Sequence, residues 1–161
     1  MTERGARDAG PETLDETAVK HLAEEGRRAM IDVADMLGVP PDVYTRDPLS
    51  LIPALQDWVS RAPLDEFEQS DWITLHADLV CYLADILIQR FGARWAVEHD
   101  SASPRGYRYV IEAIGRDGQT RQIDPAEIVR MEFAALPIEI VRMLATAELN
   151  LGLASQLAQD E

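Results

Sequence analysis

Cysteine is almost missing from this chain. Cys81 stands alone, which excludes an intramolecular disulfide and any metal site built on several thiolates. A reducing compartment is the corresponding expectation, and with it a cytoplasmic location. Lysine is equally scarce: Lys20 is the only one, the other basic residues being arginine, a skew that suggests a GC-rich genome more than a mechanism. Positive charge is short overall, with 15 Lys and Arg against 29 Asp and Glu and a net charge of −14. Phosphate-backbone recognition needs the opposite sign, so no nucleic-acid partner is expected. Long apolar runs are lacking too. Asp78 and Asp85 interrupt the most apolar stretch before it reaches bilayer length, and the opening MTERGARDAGPE has no apolar centre of the signal-peptide kind. No membrane partner is expected. The glycines of Gly115-Arg116-Asp117-Gly118 do not sit between a strand and a helix start, which a phosphate loop requires.

What is present fits an ordinary globular chain. Hydrophobic residues make up 47% and charged residues 27% of 161 positions, enough for one core without disulfide or metal staples. The expected organisation is a disordered tail over 1–12, one domain over 13–153 and a frayed tail over 154–161. The fold class is α+β and mainly helical: one long central helix packed with a three-stranded antiparallel meander and C-terminal helices.

The elements follow from local signals. Thr13-Leu14-Asp15-Glu16 matches a capping box, and Val19, Leu22, Ala29, Met30, Val33 and Leu37 keep helical spacing up to a glycine stop at Gly38. Gly26 lies on that face, where it lets another helix close in or weakens this one. His21 with Glu24 and Glu25 is read as a solvated face. Val39-Pro40-Pro41 opens a linker to Asp47, followed by a short helix with Leu51, Ile52, Leu55, Trp58 and Val59 on its buried side. The long helix begins near Ser70 and ends at Gly92. After it, Trp95, Val97 and His99 alternate in a first strand and Tyr107, Tyr109, Ile111 and Ala113 in a second; Asp117-Gly118 turns into a third at Gln119–Ile123. Asp124-Pro125-Ala126-Glu127 starts a helix. The last helix, from about Ile138, is expected to bury Val141, Leu144, Ala145 and Leu149.

On the long helix Thr74, Asp78, Cys81, Asp85 and Gln89 fall in one narrow stripe. Paired carboxylates can divide acid and base roles when their pKa values are driven apart, and a cysteine beside a histidine can be a nucleophile. Neither condition is visible in the sequence, and a polar seam facing solvent or another helix is the favoured reading. His76 is expected as a boundary histidine with one hydrogen-bond partner.

The run DPLSL (47–51), the run YLADILIQRFGARW (82–95) and Asp124-Pro125 before a closing amphipathic helix together resemble an uncharacterised bacterial domain family of actinomycete type. The resemblance covers about residues 45–153. It implies a fold and an origin and no reaction. Ala84-Asp85 stands where the family motif tends to have Gly-Glu, so a role for that acidic side chain transfers only to Asp85.

Function is then read as binding rather than catalysis, with no cofactor, no metal and no catalytic residues. The first expectation is a small acidic protein-binding or adaptor protein, immunity-like or accessory, with a protein partner and a homodimer through helix 13–37 as its self-association. The alternative is a small-molecule cleft between helix 70–91 and the sheet, with Asp85 and Arg108 as polar contacts. Candidate binding residues are Asp78, Asp85, Trp95, Tyr107, Arg108 and Tyr109. A hydrolase or transferase working through Asp78, Cys81 and Asp85 has the least support, and a secretion chaperone is an analogy of size and acidity alone.

Overall fold

The most apolar segment of the chain becomes its centre. In the structure, a computed structural model that describes residues 2–153 and side chains from Glu16 onward, helix α4 spans Gln69–Phe91. Its start is closed by Asp71, whose carboxylate accepts the Glu68 amide at 2.9 Å, and Gly92 ends it in the left-handed conformation (φ 67°). Leu75, Leu79, Leu83, Ile86 and Leu87 are buried along one side, at the spacing of a single helical face. The other elements assemble around that face.

Helix α1 (Thr2–Met36) precedes α2 (Pro41–Arg46), a 3-10 turn at Pro48–Leu51 and α3 (Ile52–Arg61). After a second 3-10 turn and α4 come strands β1 (Arg94–His99), β2 (Tyr107–Ile114) and β3 (Thr120–Ile123), then α5 (Pro125–Phe133) and α6 (Ile140–Asn150). The strands form an antiparallel sheet in the order β1-β2-β3. Trp95 faces Ile111, Val97 faces Tyr109 and His99 faces Tyr107, so the expected α+β meander stands. On its outer face the directly opposed pairs Arg94–Glu112 and Arg108–Glu98 are ion pairs, at 3.0 and 2.8 Å. Leu55 and Val59 of α3, Ile128 and Val129 of α5, Met143 and Ala147 of α6, Ile111 and Ala113 of β2, and Met30 and Ala34 of α1 share the core of α4.

Helix starts show which local signals prevail. Asp124 caps α5 by accepting the Ala126 amide at 3.0 Å with Pro125 in the first turn, as its sequence predicts. The Val39–Asp47 linker instead holds α2, because Pro41 occupies the first helical position, where its missing N–H costs nothing. Helix α1 starts at Thr2, upstream of the Thr13 signal and within the 1–12 segment expected as a tail; extending a formed helix costs far less than nucleating one. The expected tail at 154–161 lies outside the described residues.

Two buried faces differ from expectation. Trp58 is 40% exposed, because Leu55 and Val59 already carry α3 against the core. In α6 Val141 and Leu149 are exposed while Ile140, Met143, Leu144, Ala147 and Leu151 are buried, a stripe at i, i+3, i+4, i+7 and i+11 rotated from the predicted one. The α5–α6 connection is clasped by Glu132, which is 4% exposed. Its carboxylate accepts the Glu139 amide at 2.9 Å and the Arg142 guanidinium, and Arg142 also donates to the Ala135 and Pro137 carbonyls.

Gly152, just past α6, is fastened to the β2–β3 turn. Gly115 accepts the Gly118 amide in that turn, and the Arg116 amide donates to the Gly152 carbonyl at 3.1 Å. The Arg121 guanidinium, bonded to Asp117 at 2.8 Å, lies over both glycines, where a Cβ at either position would collide with it.

Candidate functional site

The side of α4 that meets α1 is built of small and mid-sized residues: Ala77, Val80, Cys81, Ala84 and Ile88. Helix α1 lies against this side and presents Leu22, Ala23, Gly26 and Ala29. Gly26 lies where the two helices meet, but their approach does not depend on its missing side chain. A Cβ placed there would meet Cys81 Cβ and Sγ at 3.9 Å. Short side chains on both helices leave a groove of about 620 Å³, lined also by Trp95 of β1 and Ala126 of α5.

At one wall of this groove is a filled polar cluster. Asp85 is 3% exposed; it accepts the Tyr44 hydroxyl at 2.6 Å, the Arg27 guanidinium at 3.2 Å and the Gln89 amide at 3.3 Å. Arg27 also donates to the Thr45 carbonyl at 3.1 Å. One carboxylate thereby fastens α1, α2 and α4 together, and a buried charge requires this many donors. Burial, and then the hydrogen bond to Asp85, hold the Tyr44 phenol far above its usual range, so it remains a donor. Tyr82 stands 6.5 Å from Tyr44, ring centre to ring centre, and donates to the Pro48 carbonyl at 2.9 Å.

Asp78, two turns earlier, has a different environment. It lines the groove half-buried, and burial alone raises its pKa; among the described residues it meets no ion-pair partner. Cys81 lies between the two carboxylates. Burial pushes its thiol up, with Asp78, Asp85 and Glu25 adding to the effect, which keeps it protonated and a poor nucleophile. His76 donates to or accepts from the Ala126 carbonyl at 3.0 Å through Nε2 and packs edge-on against Phe133, a boundary histidine as expected. His21 pairs with Glu25 at 3.0 Å on the exposed side of α1. Among the described residues no group of three or more His, Cys, Asp or Glu is placed to hold a metal, and no described helix is long and apolar enough to cross a membrane.

The groove thus gathers three of the six expected binding residues, Asp78, Asp85 and Trp95. Tyr107 and Tyr109 share the sheet face of Trp95 and pack edge to face at 5.7 Å, outside the groove. Arg108 is on the opposite face by the two-residue strand alternation, paired with Glu98 at 2.8 Å and Asp124 at 3.3 Å. A cleft between α4 and the sheet that uses Asp85 with Arg108 is therefore not formed; α1 is the second wall. The same packing buries Met30 and Ala34 within the chain, so much of the α1 face offered for a homodimer is taken. Arg27 and Tyr44 were absent from the candidates. The one sequence signal pointing toward them was Gly26, which marks where another helix approaches.

Comparison of the chain with protein-family models, curated proteins and solved structures finds no match.

Proposed function

We propose that this protein binds a small, largely apolar molecule in the groove between α1 and α4. The supporting observation is the groove itself. About 620 Å³ falls within the roughly 300–1,000 Å³ typical of small-molecule sites, and its walls are mostly apolar with a few fixed polar groups. Arg27 and Tyr44 both donate to Asp85, so the three shape the wall and leave the apolar surface for the ligand. Titration with the neutral dye N-phenyl-1-naphthylamine tests this reading. Saturable binding at one dye per chain is expected, and Ala77→Trp, which fills the groove from an exposed position of α4, is expected to abolish it. Dye binding that survives Ala77→Trp, or no saturable binding at all, removes the proposal.

A protein-binding adaptor is the second reading, and a separate place favours it. Met36 is 71% and Trp58 40% exposed, and Trp58 borders a hollow lined by Leu37, Ala54 and Phe67. Exposed aromatic anchors of this kind carry much of the energy in protein interfaces. On this reading Trp58→Glu strips a stoichiometric partner from the natively purified protein and leaves dye binding unchanged. Native purification that yields no stoichiometric partner removes it.

A further inference from the structure

The charges around the groove are unequal in number and in how they are satisfied. Glu25, Asp32, Asp78 and Asp85 line it with Arg27 and Arg28. Arg27 is spent on Asp85 at 3.2 Å, Glu25 is held by His21 at 3.0 Å, and Arg28 and Asp32 are exposed at the rim. Asp78 is left half-buried beside Ala77 and Cys81 with no ion-pair partner among the described residues. A carboxylate withdrawn from water into an apolar wall is unfavourable until a cation or donors reach it. The protein satisfies Asp85 with three donors and leaves Asp78 open toward the space a ligand would fill.

We infer that the ligand class of this groove is an apolar molecule bearing one protonated amine, its ammonium set against Asp78 and its hydrocarbon body against Leu22, Ala84, Ile88 and Trp95. The inference rests on the small-molecule reading above. An anionic ligand would bring like charge to the Asp78 wall, and a neutral one would desolvate the carboxylate with at best an uncharged donor in place of its water. Only a cation turns the cost of burying Asp78 into attraction that strengthens as water leaves.

Three cage compounds of nearly equal shape separate these cases: 1-adamantylamine, 1-adamantanol and adamantane-1-carboxylate. Each is titrated at pH 7 against the full chain carrying bound N-phenyl-1-naphthylamine, with dye displacement and the Trp95 indole N–H resonance as readouts. The amine is expected to bind about tenfold tighter than the alcohol, the carboxylate weakest, on the scale of one partly exposed ion pair. Asp78→Asn, checked for native circular dichroism, is expected to bring the amine down to the level of the alcohol. If that variant does not fold, the order of the three cages on the wild-type chain decides alone. Equal binding of amine and alcohol overturns the inference, as does tightest binding by the carboxylate, which would point to Arg28. An amine that displaces no dye also overturns it and leaves the groove reading standing; a chain that binds no dye loses both.

Discussion

Asp78 and Asp85 sit on the same helix and in the same polar stripe, yet their surroundings are opposite. Asp85 is fully withdrawn from water and meets a phenol, a guanidinium and an amide. Asp78 is half-withdrawn, and burial raises its pKa without a compensating charge. The difference shows how a protein divides its buried charges. One that is completely satisfied holds elements together; one left incomplete is available to something outside the chain.

The sharpest way to break this comparison is Asp85→Ala, which leaves Arg27 and Tyr44 without their common acceptor. A loss of about 3 kcal/mol is expected in denaturant unfolding, at the low end for a broken buried pair because Arg27 is partly solvated. Tyr44→Phe keeps the ring and removes only the 2.6 Å bond. It should cost about 2 kcal/mol, the scale of a hydrogen bond to a charged group. Gly26→Ala has the opposite sign. The new Cβ meets Cys81 at an ordinary 3.9 Å, so better helix propensity should raise stability by about 0.5–1 kcal/mol, seen as a higher Tm. Unchanged or lower stability would mean that the helix contact tolerates no extra atom.

Asp78→Asn is the smallest and most diagnostic change. The folded chain holds the Asp78 proton to a higher pH than the unfolded chain, whose carboxyl titrates near the ordinary value of 3.8. Stability in the wild type therefore falls as pH rises from that value through the raised folded one, and then levels off. The amide removes this component. A gain of at most about 0.5 kcal/mol is expected at pH 7, held down by the group's partial exposure, and no gain at pH 3. Unfolding measured at both pH values checks it; a variant destabilised at pH 7 would show that Asp78 is satisfied within the chain.

The boundaries of α4, the three-stranded meander and the α5 cap were legible because each is written in adjacent residues. Gly92 must be left-handed, Asp117-Gly118 favours a tight turn, and Asp124-Pro125 presents an acceptor followed by a residue with no amide to satisfy. The groove was only half legible. The stripe of Asp78, Cys81 and Asp85 could be found by angle, but whether it met solvent or another helix depended on α1, and nothing local ties Arg27 to a carboxylate 58 positions away. Pro40-Pro41 was misread for a related reason: a proline that can break a helix can equally open one, and α1 had already stopped at Met36, before Gly38. Val141 and Leu149 show the limit of apolar periodicity, since α6 had two candidate stripes and the neighbours selected Ile140, Met143, Leu144 and Ala147.

The meeting of Gly115 and Gly152 beneath Arg121 makes the two positions a single constraint. A methyl at either one would displace the same guanidinium, and once it has moved, the second methyl has less left to disturb. The penalties should therefore not add: the double alanine variant should cost less than the sum of the two single ones, the remainder being the positive φ of 74° at Gly152 and, at Gly115, the Asp117 carboxylate and Leu151 carbonyl 3.0 Å from the new Cβ. Two positions far apart in the chain thus share one steric penalty, which the first substitution incurs and the second largely inherits.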